Sequence, residues 1–237
     1  MDIKEIIKSA TADYKIQLTD VQLEQLETYF KLLVEWNEKI NLTAITDEQG
    51  VAVKHFADSL ALFNCVDIPE NSTLIDVGTG AGFPGIVLKI ARPDIKLTLL
   101  DSLQKRLNFL DTVLSELSLE STLIHSRAED GGQNIDLRES FDFVVSRAVA
   151  RLNILAEYCL PYTRLSGSFI AMKGPEVETE ITDGRKAIQT LGGKIKNKHC
   201  FSLAFDGGER TIVEIEKIAP TPDKYPRSYG KIKAKPL

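Results

Sequence analysis

Asp76-Val77-Gly78-Thr79-Gly80-Ala81-Gly82-Phe83-Pro84-Gly85 is the stretch on which the reading of this chain turns. It continues a short apolar run, Thr73–Val77, and a strand running into glycines predicts a tight turn at the carboxyl edge of a parallel sheet, where open α/β folds take small ligands. Gly80, Gly82 and Gly85 satisfy the GxGxxG spacing of a dinucleotide site, with Asp101 about twenty residues on. Asp76 argues against that ligand, because a pyrophosphate wants N–H donors and a helix dipole, and a carboxylate at the strand end repels it. S-adenosylmethionine carries a sulfonium and an ammonium and no phosphate, so an acid attracts it, by roughly 4 kcal/mol at 4 Å near a protein surface before desolvation. DxGxGxG followed by a second acid at the end of the next strand, Leu99-Leu100-Asp101, therefore reads as a methyl-donor site. Gly78 and Gly80 bring backbone close to the donor, Asp101 is expected to accept from its two ribose hydroxyls, and Phe83 to pack against it. Ala128 and Glu129, in Arg127-Ala128-Glu129, are expected beside the adenine.

Outward from the loop, Lys96–Leu100, Ser121–His125, Phe141–Val145 and Ser168–Met172 read as further strands, and Leu103–Leu117, Ile154–Leu160 and Val177–Leu191 as helices. Continuous apolar strands alternating with helices predict a parallel sheet covered on both faces. Lys194–Leu203 and Thr211–Ile218 flank Asp206-Gly207-Gly208-Glu209, a hairpin at the sheet edge. Before residue 69 the period is helical. Thr19 and Gln22 fit a capping box ahead of the stripe Leu23, Leu26, Phe30, Leu33, Trp36 and Ile40, and a second stripe through Val51, Val53, His55, Phe56, Leu60 and Leu62 follows Asp47. The expected organisation is a helical cap over 1–68, an α/β domain of Rossmann-like methyltransferase type over 69–219, and a basic arm, polar and extended, over 220–237.

With 237 residues, 43% hydrophobic and 27% charged, the chain has enough apolar matter for a core and is neither disordered nor a repeat array. No apolar run approaches the ~18 residues of a membrane span, and the charged start MDIKEIIKSATADYK is no signal peptide, so a cytoplasmic protein is expected. Three distant cysteines exclude a disulfide framework, and the scattered histidines His55, His125 and His199 argue against a metal. Net charge is −5, yet residues 217–237 carry six Lys and Arg against one Asp. An acidic body with a basic tail suits local contact with a polyanion. Nothing points to a subunit interface, so a monomer is the default expectation.

The end of the fourth strand faces the departing methyl group. Val144-Val145-Ser146-Arg147-Ala148-Val149-Ala150 lacks both the Asn/Asp-Pro-Pro-aromatic grip on an exocyclic amine and the Pro-Cys nucleophile of C5 pyrimidine methylation. An acceptor already nucleophilic fits such a site. N7 of guanine has an in-plane lone pair and no proton to lose, so transfer to it, direct and in line, needs positioning more than a base. Arg147 could orient either the base or the methionine end of the donor, or serve only as a surface ion pair.

Trp36-Asn37-Glu38-Lys39-Ile40-Asn41-Leu42-Thr43, His55 with Asp58-Ser59-Leu60, the 76–85 loop, Leu100-Asp101-Ser102 with Lys105-Arg106, Arg127-Ala128-Glu129, Ser146-Arg147-Ala148, Lys173-Gly174 and Tyr225-Pro226-Arg227 occur in one order. In that order the chain resembles, over nearly its whole length, the bacterial small-subunit rRNA guanine-N7 methyltransferase family called RsmG or GidB. The resemblance implies S-adenosylmethionine as methyl donor, 16S rRNA or the 30S subunit as partner, and the guanine numbered 527 in the 530 loop as acceptor. It implies donor contacts from Gly78, Phe83, Ala128, Glu129 and Arg147. It also places Asn41 and His55 near the mouth of the site, and makes Lys173, Arg210 and the arm, with Lys231, Lys233 and Lys235, candidates for RNA phosphates. Three other readings stay open on the residues alone: a nicotinamide-dependent dehydrogenase, a small-molecule methyltransferase, and a non-catalytic RNA-binding factor.

Overall fold

The computed structural model describes residues 1–237. Helix α1 (Ile3–Ala10) starts at an Asp2 capping box, and α2 (Asp20–Ile40) starts at the expected Thr19–Gln22 box. Gln22 does two jobs: its Oε1 accepts from the Thr19 N–H at 2.8 Å, and its Nε2 donates to the carbonyls of Ile90 and Ala91 at 2.8 and 3.1 Å. The next expected helix is broken into α3 (Glu48–Val51), a π-helical turn over Ala52–Ala57, α4 (Asp58–Leu60) and α5 (Leu62–Cys65).

From there the chain alternates: β1 (Thr73–Val77), α6 (Gly85–Ala91), β2 (Lys96–Asp101), α7 (Gln104–Glu116), β3 (Thr122–His125), α8 (Ala128–Gly131), β4 (Phe141–Arg147), α9 (Leu152–Cys159), β5 (Thr163–Lys173) and α10 (Val177–Thr190), then β6 (Gly193–Leu203) and β7 (Gly208–Lys217). The seven strands stand in the order β3-β2-β1-β4-β5-β7-β6. β1 to β5 pair in parallel, and β7 runs antiparallel between β5 and β6, so β6 is the outer strand of the hairpin. The order turns back between β1 and β4, the switch point at which a doubly wound sheet opens a crevice beyond its carboxyl ends.

Two hydrophobic layers clasp the sheet. One unites the amino-terminal helices with α6 and α7 through Leu26, Phe56, Val87 and Leu110, and the other packs α9 and α10 through Leu155, Tyr162, Ile188 and Val213. Helix α6 is absent from the sequence expectation because all seven of its residues are buried; GIVLKIA has no polar face to give it a period. The arm also departs from expectation. It is not extended but folds into α11 (Tyr229–Ala234), whose Ile232 is wholly buried. No helix is long and apolar enough to cross a membrane.

Candidate active site

The glycine loop is forced by contact. Gly78, Gly80 and Gly82 have φ of 73°, 61° and 93°, a region L-residues avoid. A Cβ at Gly82 would stand 2.5 Å from Tyr29 Oη, and one at Gly85 would stand 2.9 Å from Asp76 Oδ2. Tyr29, wholly buried on α2, donates its hydroxyl to the Ala81 carbonyl and stacks on Phe83 with centroids 5.3 Å apart, so the helical segment props the loop from behind. Tyr29 sits one turn beyond Leu26 on the same stripe, where its spacing marks a core residue and nothing in the sequence marks the loop contact.

Asp76 is where expectation needs correcting. Its carboxylate does not line the cavity; it lies under the loop, with Oδ2 accepting from Thr79 Oγ1 at 2.8 Å and from the Gly85 N–H at 2.9 Å. Oδ1 is buried with no partner, and burial lifts this carboxyl to about 6, against hydrogen bonds from Gly85 and Thr79. Asp101 lies in the wall as expected: Oδ2 accepts from the Gly80 N–H at 2.9 Å and faces Arg106 at 3.4 Å, while Oδ1 accepts from the Leu103 N–H at 2.9 Å, and a carboxylate's roughly four acceptor positions leave capacity toward the cavity.

These elements open on a cavity of about 970 Å³ at the carboxyl ends of β1, β2 and β4. Gly78, Gly80, Phe83, Asp101, Ala128 and Glu129 all reach its wall, as the loop reading predicts. The π turn brings in the other side. His55 stacks on Phe83 at 4.6 Å and 20°, and its Nε2 meets Thr43 Oγ1 at 2.9 Å. Burial first, and then the neighbouring Arg147 cation, push the imidazole down to about 4, so it is neutral at pH 7. Arg147, the last residue of β4, is no exposed surface pair: Nη1 donates at 2.7 Å to Asp58 Oδ2, in the cavity wall, and its guanidinium lies 5.2 Å from the Phe83 centroid. Arg210, on β7, approaches Asp58 Oδ1 at 3.3 Å, so one buried carboxylate holds two arginines. Asp58 is the site residue the reading left without a role. The next residue after Arg147, Ala148, takes φ of 58°, strained backbone of the kind that collects at functional sites.

Two further expectations shift. Asn41 does not reach the cavity; it is the exposed left-handed cap of α2, and Leu42 and Thr43 line the wall instead. Lys173 lies in the wall, but its ammonium is held by Glu180 at 2.8 Å and by the Ala150 carbonyl, which ties it to the strained turn. Lys231, Lys233 and Lys235 stand exposed on and just past α11.

A sheet reversing at β1 and β4, a glycine turn backed by acids at the ends of β1 and β2, and β7 inserted antiparallel beside β5 define the class I methyltransferase fold. Solved structures bear this out at the level of fold. A SAM-dependent O-methyltransferase from Thermotoga maritima matches 80% of this chain and 72% of its own at 14% identity with TM-score 0.52. A precorrin-6y C5,15-methyltransferase from Geobacter metallireducens matches 68% and 87% at 14% identity with TM-score 0.51. The chain belongs to the family described as rRNA small subunit methyltransferase G (GidB), whose model matches residues 22–213. Proteins named ribosomal RNA small subunit methyltransferase G are similar end to end. That of Alkaliphilus oremlandii is 48% identical over all of both chains, and that of Bacillus subtilis is 47% identical over 100% of this chain and 99% of its own.

Proposed function

We propose that this chain transfers a methyl group from S-adenosylmethionine to N7 of a guanine in 16S rRNA. The observation that carries the reading is a reversal of sign. The chain has net charge −5, yet the cavity wall holds seven Lys and Arg (54, 106, 127, 147, 151, 173 and 210) against four Asp and Glu (58, 101, 129 and 180). A cationic pocket in an anionic protein draws a polyanion to one place. The names of its end-to-end relatives supply the same acceptor class.

The residues suit the methyl donor on their own terms. The partnerless Asp76 Oδ1 is a buried negative charge that a nearby cation offsets and a phosphate would worsen. Gly78 and Gly80 would hold the donor by close backbone approach, Asp101 its ribose, and Ala128 and Glu129 its base; once bound, it supplies an electrophilic methyl group on sulfur. The acceptor side needs no proton taken away, because N7 presents a free lone pair, and the neutral His55 agrees with that. Arg147 and Arg210 offer cationic donors to base oxygen and phosphate, and Lys173 keeps the turn after Arg147 in place. Soluble and membrane-free action as a single chain on either free 16S rRNA or the 30S particle completes the proposal.

The test incubates the protein with tritiated methyl donor and, in parallel, with 16S rRNA and with 30S particles from cells lacking the gene. Label is expected at N7 of one guanine. No incorporation into either substrate, or label at another atom, overturns the reading.

A further inference from the structure

The carboxyl-terminal arm is fastened more firmly than a free RNA-binding tail requires. Arg227 reaches Glu157 with Nε at 2.9 Å, Nη2 at 2.6 Å and its own backbone N–H at 2.8 Å, and Glu157 is fully buried on α9. Arg138 donates to the carbonyls of Thr221 and Tyr225 at 2.7 and 2.8 Å, and Gln133 to that of Pro226 at 2.8 Å. Breaking a bidentate pair whose carboxylate is buried is costly, so the arm stays down.

What this fastening delivers to the cavity is one residue. Tyr229, first in α11 and 43% exposed, lines the wall together with Ala128, Glu129 and Tyr158. Its ring sits 5.2 Å from the Arg127 guanidinium, which in turn faces Glu129 at 3.9 Å. Asp101 fixes the ribose position at the end of β2, and β3 lies outboard of β2, so the turn after β3 that carries Arg127 stands on the base side of that ribose.

We infer that Tyr229, paired with Arg127, forms the outer wall of the adenine end of the donor site, so that the arm is a structural part of the donor pocket. The inference rests on the donor reading of the cavity proposed above. Removing the ring opens that wall to water and frees Arg127, and affinity for the adenosine portion falls whatever the ligand's other end.

Calorimetric titration of the full chain with S-adenosylhomocysteine and with 5′-methylthioadenosine, which lacks the amino-acid end, tests it. Tyr229→Ala is expected to weaken both ligands by a similar factor, about tenfold. Tyr229→Phe, which keeps the ring, is expected to stay within about twofold of the parent, the cation–ring contact being preserved. The half-exposed position makes an unchanged unfolding midpoint the expectation for both variants. Parent-like affinity in Tyr229→Ala for both ligands overturns the inference alone, as does a loss confined to S-adenosylhomocysteine, which would put the ring at the methionine end. A parent protein that takes up neither ligand overturns the donor reading and this inference with it.

Discussion

Replacing Asp76 by Asn separates the cost of a buried charge from the rest of the fold. In the folded protein burial holds this carboxyl at about 6 against an ordinary 3.8. Between those values the folded state binds the proton and the unfolded state does not, so stability on this account falls as pH rises, the reverse of a salt-bridged acid. With those two values, the penalty is about 1 kcal/mol at pH ~4.5 and about 3 kcal/mol at pH ~7.5. The parent curve hides it. His55 is displaced the other way, to about 4 from 6.5, so it binds its proton in the unfolded state first and adds stability as pH rises over nearly the same window. The observable is therefore a difference. Asn keeps an oxygen to accept from Gly85 and Thr79, and any misfit of its amide is the same at every pH. Urea unfolding of both proteins at four pH values across that range should show the variant gaining about 2 kcal/mol on the parent from the lowest to the highest. Parallel curves would refute the claim that Asp76 carries an unoffset buried charge.

Gly82→Ala places a Cβ 2.5 Å from Tyr29 Oη at a φ of 93°, so it should lower unfolding stability by about 1–3 kcal/mol, read as a lower urea midpoint at unchanged slope. Asp58→Asn removes the nearly buried charge shared by Arg147 and Arg210 in the cavity wall; loss of about 3 kcal/mol of stability is expected by thermal or urea unfolding, together with loss of methyl transfer. Changing Lys231, Lys233 and Lys235 together to Gln should lower the slope of log affinity for RNA against log salt by up to about 2, at about 0.7 for each single-stranded phosphate released, in a filter-binding titration. An unchanged slope would remove those lysines from the RNA surface.

The parts of the fold legible in the sequence are those whose burial leaves a period or a run. β1 was readable to the residue from Thr73–Val77, and the start of α2 from Thr19 and Gln22, because a buried parallel strand is a continuous apolar run and a capping box has fixed spacing. α6 carries no such signal, being buried on every side, with Lys89 its lone polar residue. The π turn over Ala52–Ala57 was equally hidden, since a stripe of apolar residues does not distinguish one i→i+5 turn from α-helix, and that turn is what aims His55 and Asp58 at Arg147. In the site, the glycines and Asp101 could be placed because they mark the ends of two successive apolar strands. Asp58 with Arg147 and Arg210 could not, because the three come together only through tertiary packing. Asp76 could not be placed from its spacing: its carboxylate lies beneath the loop and not in the cavity wall.

That difference in sequence distance divides the site into halves of different construction. The donor half is local at its base, a loop between β1 and α6 tied to the end of β2 by the Gly80–Asp101 hydrogen bond, and takes more distant chain from Ala128 and Glu129 after β3, Tyr29 behind the loop and Tyr229 in the wall. The acceptor half is non-local throughout. Asp58 arrives from the helical segment, Arg147 from the end of β4 and Arg210 from β7, the antiparallel strand beside β5, and they meet at one carboxylate. Two guanidinium charges against one carboxylate leave the cluster with an excess positive charge in the cavity wall, open to an anion or an electron-rich base edge. Under the proposed function, that excess charge is the one an RNA substrate would meet. The helical segment fixes how much of it is left over by supplying a single acid.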